Sequence, residues 1–295
     1  MEIGHADDPV VQARTAAARG ELEKLGWVVG RKLAIDYRWG VTSLEMGQRL
    51  GGELLSLSPD VILSVGSPGV KALQQATKTV PVVFIFVAEP VDQDVVQSLA
   101  HPRGNITGFA YLERTIRAKL LALLTEIAPK VKHVAYVFSP QAAPFAHFYY
   151  EAAQAAGEKM GVRIDIDPVE EPADFEPILA HLSADGGVIF GNDAFLDNNL
   201  ALAIDLAARY RVPAIYGGGG ETAKAGGLMS YNLDQLAQFR QTALYLDRIL
   251  RDEKPADLPV QLPTKFQYVI NLKTAKVLGL AVPLTMQMSA DEVIE

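Results

Sequence analysis

Apolar positions along this chain alternate between two spacings. Residues 9–25 repeat them at helical intervals (Val10, Ala13, Ala17, Leu22) until Gly26 stops the pattern, which predicts a helix. Residues 32–38 alternate like a strand through Leu33, Ile35 and Tyr37. A helical stretch over 44–57 follows, then an apolar run over 60–65, a helix over 70–77 and an almost wholly apolar run over 80–87. Runs of that kind are expected of parallel strands covered on both faces.

The alternation restarts after Asn105-Ile106-Thr107-Gly108-Phe109. Helices are predicted over 115–127, 142–160, 174–182 and 196–210, with strands over 131–138, 162–166, 187–191 and 213–216. Residues 226–231 read as a short strand and 233–251 as a long amphipathic helix. A turn at 255–259, a strand over 266–271 and a helix over 272–278 follow. Each half runs strand, helix, strand, helix, strand, which indicates α/β architecture with doubly wound sheets, duplicated without a sequence repeat. The tail is too short for a third domain and is expected to cross back between the halves.

Composition narrows the classes. A chain of 295 residues with 49% hydrophobic and 21% charged residues has the make-up of a globular protein with room for two cores. Its net charge of −8 carries no basic patch, which argues against nucleic acid as a partner. With no cysteine, thiolate metal sites and cysteine nucleophiles are excluded. No stretch reaches the ~18–20 apolar residues needed to span a bilayer. The opening Met1-Glu2-Ile3-Gly4-His5-Ala6-Asp7-Asp8 has neither the basic segment nor the apolar core of a signal peptide, so the expectation is either a cytosolic protein or a chain that starts after, or without, its export signal.

Candidate chemistry gathers at the carboxyl ends of the predicted strands, where open α/β sheets bind ligands. At Gly66-Ser67-Pro68-Gly69 a strand passes directly into a helix; Ser67 is placed to cap it and Pro68 to be its first residue. The free N–H groups of that first turn suit an anion such as a carboxylate, although a plain capped turn explains the same residues. Ser139 and Phe145 occupy the corresponding loop of the second half, with an ordinary apolar helix face as the alternative for Phe145. Asn192 and Asp193 end another strand. Asp193 is a candidate acceptor for an ammonium and equally a helix N-cap. Gly218, within Tyr216-Gly217-Gly218-Gly219-Gly220, lets a backbone approach a ligand closely, and Glu221 and Glu89 are alternative ammonium acceptors or exposed helix-start residues. Phe86 and Tyr231 are candidates to pack on a ligand side chain.

Other chemistries find no support. The glycine run lacks the Lys-Ser/Thr pair of a phosphate loop. His5, His101, His133, His147 and His181 show no metal-ligand spacing, so no metal site is expected. Gly-x-Ser-x-Gly is absent and no Ser–His–Asp set is suggested, so neither catalytic residues nor a cofactor are expected.

The phrases Leu25-Gly26-Trp27-Val28-Val29-Gly30-Arg31 and Ile35-Asp36-Tyr37-Arg38-Trp39 resemble the opening of periplasmic substrate-binding proteins of ABC importers, in the tryptophan/tyrosine-type group. Asp60-Val61-Ile62, Val80-Pro81-Val82-Val83-Phe84, Pro90-Val91, Gly104-Asn105-Ile106-Thr107-Gly108, Gly226-Gly227-Leu228-Met229-Ser230-Tyr231 and residues 270–280 extend the resemblance in order over nearly the whole chain. The chain departs from that pattern in a shortened start before Gly4, in Glu89-Pro90 where relatives often have Asp-Pro, and in Ser139-Pro140 where they often have Asn-Pro. The resemblance implies a type I periplasmic binding protein-like fold, two Rossmann-like lobes with parallel sheets joined by a three-crossover hinge. Residues 1–111 with 232–254 would form the first lobe, and 112–231 with 255–295 the second. It also implies a periplasmic monomer that captures a small ligand in the interlobe cleft by clam-shell closure and presents it to an ABC permease of the inner membrane. An amino acid or related carboxylate, aromatic ones included, is the expected ligand. A sensor domain of the same fold and an α/β enzyme using the cleft are the alternatives.

Overall fold

The computed structural model describes residues 1–2, 4–111, 116–143, 147–182 and 185–295. In chain order the first elements are α1 (Pro9–Lys24), α2 (Leu44–Ser56), β1 (Ile62–Val65), α3 (Ser67–Ala76), β2 (Val82–Val87) and β3 (Ile106–Ala110). Next come α4 (Ile116–Ile127), β4 (His133–Phe138), α5 (His147–Met160), β5 (Arg163–Pro168), α6 (Phe175–His181) and β6 (Gly186–Phe190). They are followed by α7 (Ala194–Asn198), α8 (Leu200–Arg209), β7 (Ala214–Tyr216), α9 (Glu221–Lys224), β8 (Met229–Leu233) and α10 (Gln235–Leu250). The last are β9 (Phe266–Asn271), α11 (Leu272–Val277), α12 (Leu284–Ser289) and β10 (Glu292–Ile294).

Two units result. The first comprises Met1–Glu113 and Asp234–Lys265, the second Arg114–Leu233 and Phe266–Glu295, so the chain passes between them three times. Unit 1 holds a parallel sheet in the order β1-β2-β3. Its strands are buried on both faces. Val65, Val83, Ile85 and Phe109 pack with Leu22 of α1 and Phe239 and Leu246 of α10. Ile62, Val82, Phe84 and Ile106 pack with Leu54 of α2 and Val70 and Leu73 of α3. The continuous apolar runs are thus explained: successive side chains point to opposite faces and both faces are covered.

The third passage lies eleven residues later than the crossover expected at Pro255. Residues 258–261 belong to unit 1 because they hydrogen-bond along β3: Thr107 Oγ1 donates to Leu258 O (2.6 Å), Gln261 N to Gly108 O (3.0 Å) and Ala110 N to Gln261 O (2.9 Å). Thr107 is fully buried. Thr107→Val keeps its shape but leaves the Leu258 carbonyl without that donor, and is expected to lower unfolding stability by about 1–2 kcal/mol. Urea denaturation of the two proteins side by side checks this.

Unit 2 holds a seven-stranded sheet in the order β10-β9-β8-β7-β6-β4-β5. Ala135, Val137, Val188, Phe190, Ala214 and Tyr216 face the layer of α6 and α8. Val134, Tyr136, Ile189, Ile215 and Met229 face a larger core built with Leu120, Leu121 and Leu124 of α4. One pairing departs from the expected parallel sheet: β9 runs antiparallel to β8, with Tyr231 opposite Tyr268.

Two local expectations also change. Residues 32–38 form no strand: Leu33 makes an isolated bridge to Val29, and Tyr37 and Trp39 stack on one another 5.0 Å apart. Leu33 packs against the unit 1 core and Tyr37 on Trp39, without a strand partner for the segment. The helix expected over 196–210 breaks at Asn199 (φ −109°), whose side-chain amide donates to Phe195 O at 2.9 Å. Asparagine's capacity to bond nearby backbone is what interrupts it.

Candidate functional site

In unit 1 the strand-end loop is built around Gly66, which has φ 77° and donates its N–H to Ile85 O on the neighbouring strand (2.8 Å). It is Gly66, and not Ser67, that precedes α3; Ser67 and Pro68 are the first helical residues, and no side chain caps the helix. The left-handed turn required between strand and helix favours glycine, which displaces the expected serine cap by one residue. The N–H groups of the first helical turn have no partners inside the helix. Gly69 packs over Ser64, whose buried hydroxyl has no hydrogen-bond partner among the described residues; a methyl group at position 69 would lie 2.6 Å from it.

The next strand end carries Phe86 and Glu89. Phe86 sits at a register shift in β2 with φ 61° and turns its half-buried ring edge-on to Tyr111 (5.5 Å) and Phe239 (5.6 Å). The Arg14 guanidinium lies 5.6 Å from the centre of the same ring. Glu89, half-buried with φ 42°, opens a turn in which Gln93 N donates to its carbonyl (3.0 Å). The Gly66–Ile85 bond places the two loops side by side at one edge.

In unit 2 the parallel strands β4, β6, β7 and β8 bring Ser139, Asn192 with Asp193, Gly217 with Gly218, and Tyr231 to a single edge. Asp193 joins two of these loops. Its Oδ2 accepts the Ser139 N–H (3.0 Å), and its Oδ1 accepts the Leu196 N–H (2.9 Å) as the N-cap of α7. Burial holds this carboxyl above the usual range, opposed by those backbone donors and by the Arg117 guanidinium. Asn192 is half-buried, and its Nδ2 has no partner among the described residues. Gly218 is buried beside a cavity of about 10 Å³, room for a single water. Tyr231 stacks on Phe266 (5.4 Å) and meets Tyr268 edge-on (5.9 Å). Phe145 lies outside the described residues, as does Thr115, the expected first residue of α4.

Glu221 is not brought into this group. Its side chain is 87% exposed and pairs with Lys224 at 3.1 Å. A larger open depression of about 660 Å³ lies at the β5 end, lined by Gln141, Asp167, Glu170, Glu171 and Asp174. Four carboxylates make it hostile to an anionic ligand. No group of three or more potential metal-ligating side chains is found among the described residues.

The edge also holds a residue that the sequence reading missed. Arg117 of α4 is 2% exposed, and its guanidinium carbon lies 5.3 Å from the centre of the Tyr136 ring and 4.9 Å from that of Tyr149. Its Nε and Nη1 have no hydrogen-bond partner among the described residues. A methyl group on Gly217 would stand 3.4 Å from Nη1, so the guanidinium reaches the β7 loop. Asn232, 1% exposed at the end of β8, likewise has an unpartnered Nδ2 while its Oδ1 accepts the Leu233 N–H (2.8 Å).

Residues 12–294 match the family of ABC transporter substrate binding proteins. The chain belongs to that family. Among its curated relatives is the tyrosine-binding protein of Clostridioides difficile (strain R20291), 21% identical over 274 residues, which span 92% of this chain and 76% of the relative. Among solved structures it is similar to a Streptococcus pneumonia ABC domain in complex with L-Trp (TM-score 0.86, 20% identity, 99% of this chain and 97% of that one). It is also similar to the ligand-free, open form of a Clostridium difficile substrate-binding protein with adhesive properties (TM-score 0.80, 20% identity, the same coverages). A periplasmic ribose-transporter protein from Conexibacter woesei aligns with TM-score 0.68 at 16% identity, over 95% of this chain and 94% of that one. At these identities the likeness shows the fold, that of type I periplasmic binding proteins. Family and fold together make the chain a solute-binding protein for a small ligand.

In this substrate-binding protein a signal for Arg117 was present in the sequence. Positions 117, 120, 121 and 124 form the i, i+3, i+4, i+7 stripe that buries α4, so an arginine stands where the pattern demands an apolar residue. A buried charge at such a position needs a reason. The signal in Asn232 is weaker, because the ends of short strands are not defined by periodicity.

Proposed function

We propose that this protein captures a free amino acid or a closely related small carboxylate and hands it to an ABC permease of the inner membrane. It would act in the periplasm, as a monomer and without chemistry on its ligand. The observation that carries the reading is the set of buried donors without acceptors at the unit 2 edge: Arg117 Nε and Nη1, Asn192 Nδ2 and Asn232 Nδ2. Buried donors are almost always satisfied, so an acceptor-rich ligand is the partner this edge lacks. The named specificities of two relatives, L-Trp and tyrosine, support an amino acid as that ligand.

Gly66, Ser67, Pro68, Phe86 and Glu89 of unit 1 are the proposed contacts on that side, with Ser139, Asn192, Asp193, Gly218 and Tyr231 in unit 2. Thermal-shift screening of amino acids, aromatic acids and sugars tests the reading. A ligand at a hundred times its Kd adds about 2.7 kcal/mol, an upward shift of roughly 5–10 °C for a protein of this size. Shifts produced by sugars but by no amino acid or carboxylate would overturn it.

A further inference from the structure

We propose that Arg117 is the carboxylate anchor of unit 2, the group that makes the protein select ligands bearing a free carboxylate. The proposal rests on the capture reading above and replaces the α3 start as the place where the ligand's negative charge is held.

Three observations combine. The guanidinium is almost wholly buried, and two of its nitrogens, Nε and Nη1, carry N–H groups without an acceptor among the described residues. Nε and Nη1 carry their N–H groups on different edges of the guanidinium, so each offers a single charge-assisted hydrogen bond to a carboxylate oxygen. The guanidinium lies over the rings of Tyr136 on β4 and Tyr149 on α5. Such stacking fixes its plane and leaves those two donors available. Lastly, Asp193, whose charge interacts with that of Arg117, is engaged elsewhere: both its oxygens accept backbone N–H groups, from Ser139 and Leu196. Its charge lowers the penalty of burying the cation without using up the donors.

A methyl group on Gly217 would stand 3.4 Å from Nη1, so any side chain larger than glycine's would press on the guanidinium from the β7 side. The α3 start offers neutral N–H groups alone, with no cationic side chain at residues 66–69. Between a partial positive dipole and a buried cation with two unpartnered donors, the cation is the stronger claimant for a negative charge. A purely structural Arg117, stacked on two tyrosines and balancing Asp193, is the competing account, and it predicts no discrimination between a carboxylate and its amide.

The test uses the whole protein with ¹⁵N-labelled arginine. The Nε–H resonance of Arg117 is identified by its loss in Arg117→Lys, and the wild type is titrated with L-tryptophan, L-tryptophanamide and propionate. The anchor requires L-tryptophan or propionate to move that resonance and the amide to leave it in place. For whichever carboxylate binds, Arg117→Lys should weaken affinity about 30-fold, the loss of one good charge-assisted contact, and should weaken affinity for the amide, whose acceptor is uncharged, by much less. If L-tryptophan binds while the resonance stays put, the anchor is overturned and the capture reading stands. If propionate moves the resonance and no amino acid binds, the anchor stands and the amino-acid reading falls. A resonance that no carboxylate moves overturns the anchor even where Arg117→Lys fails to fold.

Discussion

Gly108→Ala is expected to destabilise unit 1 by about 4 kcal/mol, enough to leave much of its sheet unfolded at ordinary temperature. Gly108 lies on β3 opposite Phe84 of β2, and an added Cβ would overlap the Phe84 carbonyl oxygen and stand 2.6 Å from its nitrogen. Neither atom can retreat. Phe84 is paired on its other side with Ser64 of β1, and the Gly108 carbonyl is itself held by the Gln261 N–H at 3.0 Å. Relief therefore means parting β2 from β3, with Phe84, Ile85, Ile106 and Phe109 of the two cores exposed. Gly104→Ala is the control. Gly104 shares the same Gly-Asn-Ile-Thr-Gly phrase and has φ 70°, with nothing within 4 Å of an added methyl. Only backbone strain of about 1–2 kcal/mol is expected there. Urea unfolding followed by near-ultraviolet circular dichroism separates the two, and equal losses would contradict the steric account.

Asp193→Ala should remove about 3 kcal/mol by a different route. The substitution deletes the cap of α7 and leaves the Ser139 and Leu196 N–H groups without acceptors in a buried place. Asp193→Asn should retain part of this, because its single carbonyl oxygen can accept one of the two donors and its amide group opposes the other. A pH series distinguishes charge from geometry. Burial raises the folded-state pKa of Asp193 above its unfolded value, so between those two values the folded state binds more protons. Relative to Asp193→Asn, the wild type should therefore lose stability as pH rises from about 4 through that raised pKa. A rise over the same interval would mean that the backbone donors outweigh burial. Ligand affinity measured at neutral pH should fall with both variants, since the β4 and β6 loops lose their common tether.

The strand-end positions could be read from the chain because they rest on local rules. Gly66-Ser67-Pro68 and Asn192-Asp193 each follow an apolar run and open a helix, and both stand at strand ends in the folded units. Even there the roles shifted by contact. Ser67 lost the cap to Gly66 because the backbone needed a left-handed turn, and Glu221, largely exposed, pairs with Lys224 one helical turn on. Residues 32–38 had the alternation of a strand without a neighbour to pair with, which no periodicity can reveal.

What the sequence determined by itself is the succession of elements and the α/β class, since hydrophobic spacing records whether one or two faces of each segment are buried. It also marked the carboxyl ends of the strands as the places for chemistry, through glycine, proline and capping residues that act within a few positions of one another. The tertiary structure alone decided which unit residues 258–261 join, because three hydrogen bonds to a strand some 150 residues distant hold them there. It likewise decided that Asp193 ties two loops together and that Arg117 reaches their edge with its donors open. Partners of that kind are distant in the chain, and the free energy of a buried charge depends on what surrounds it in space.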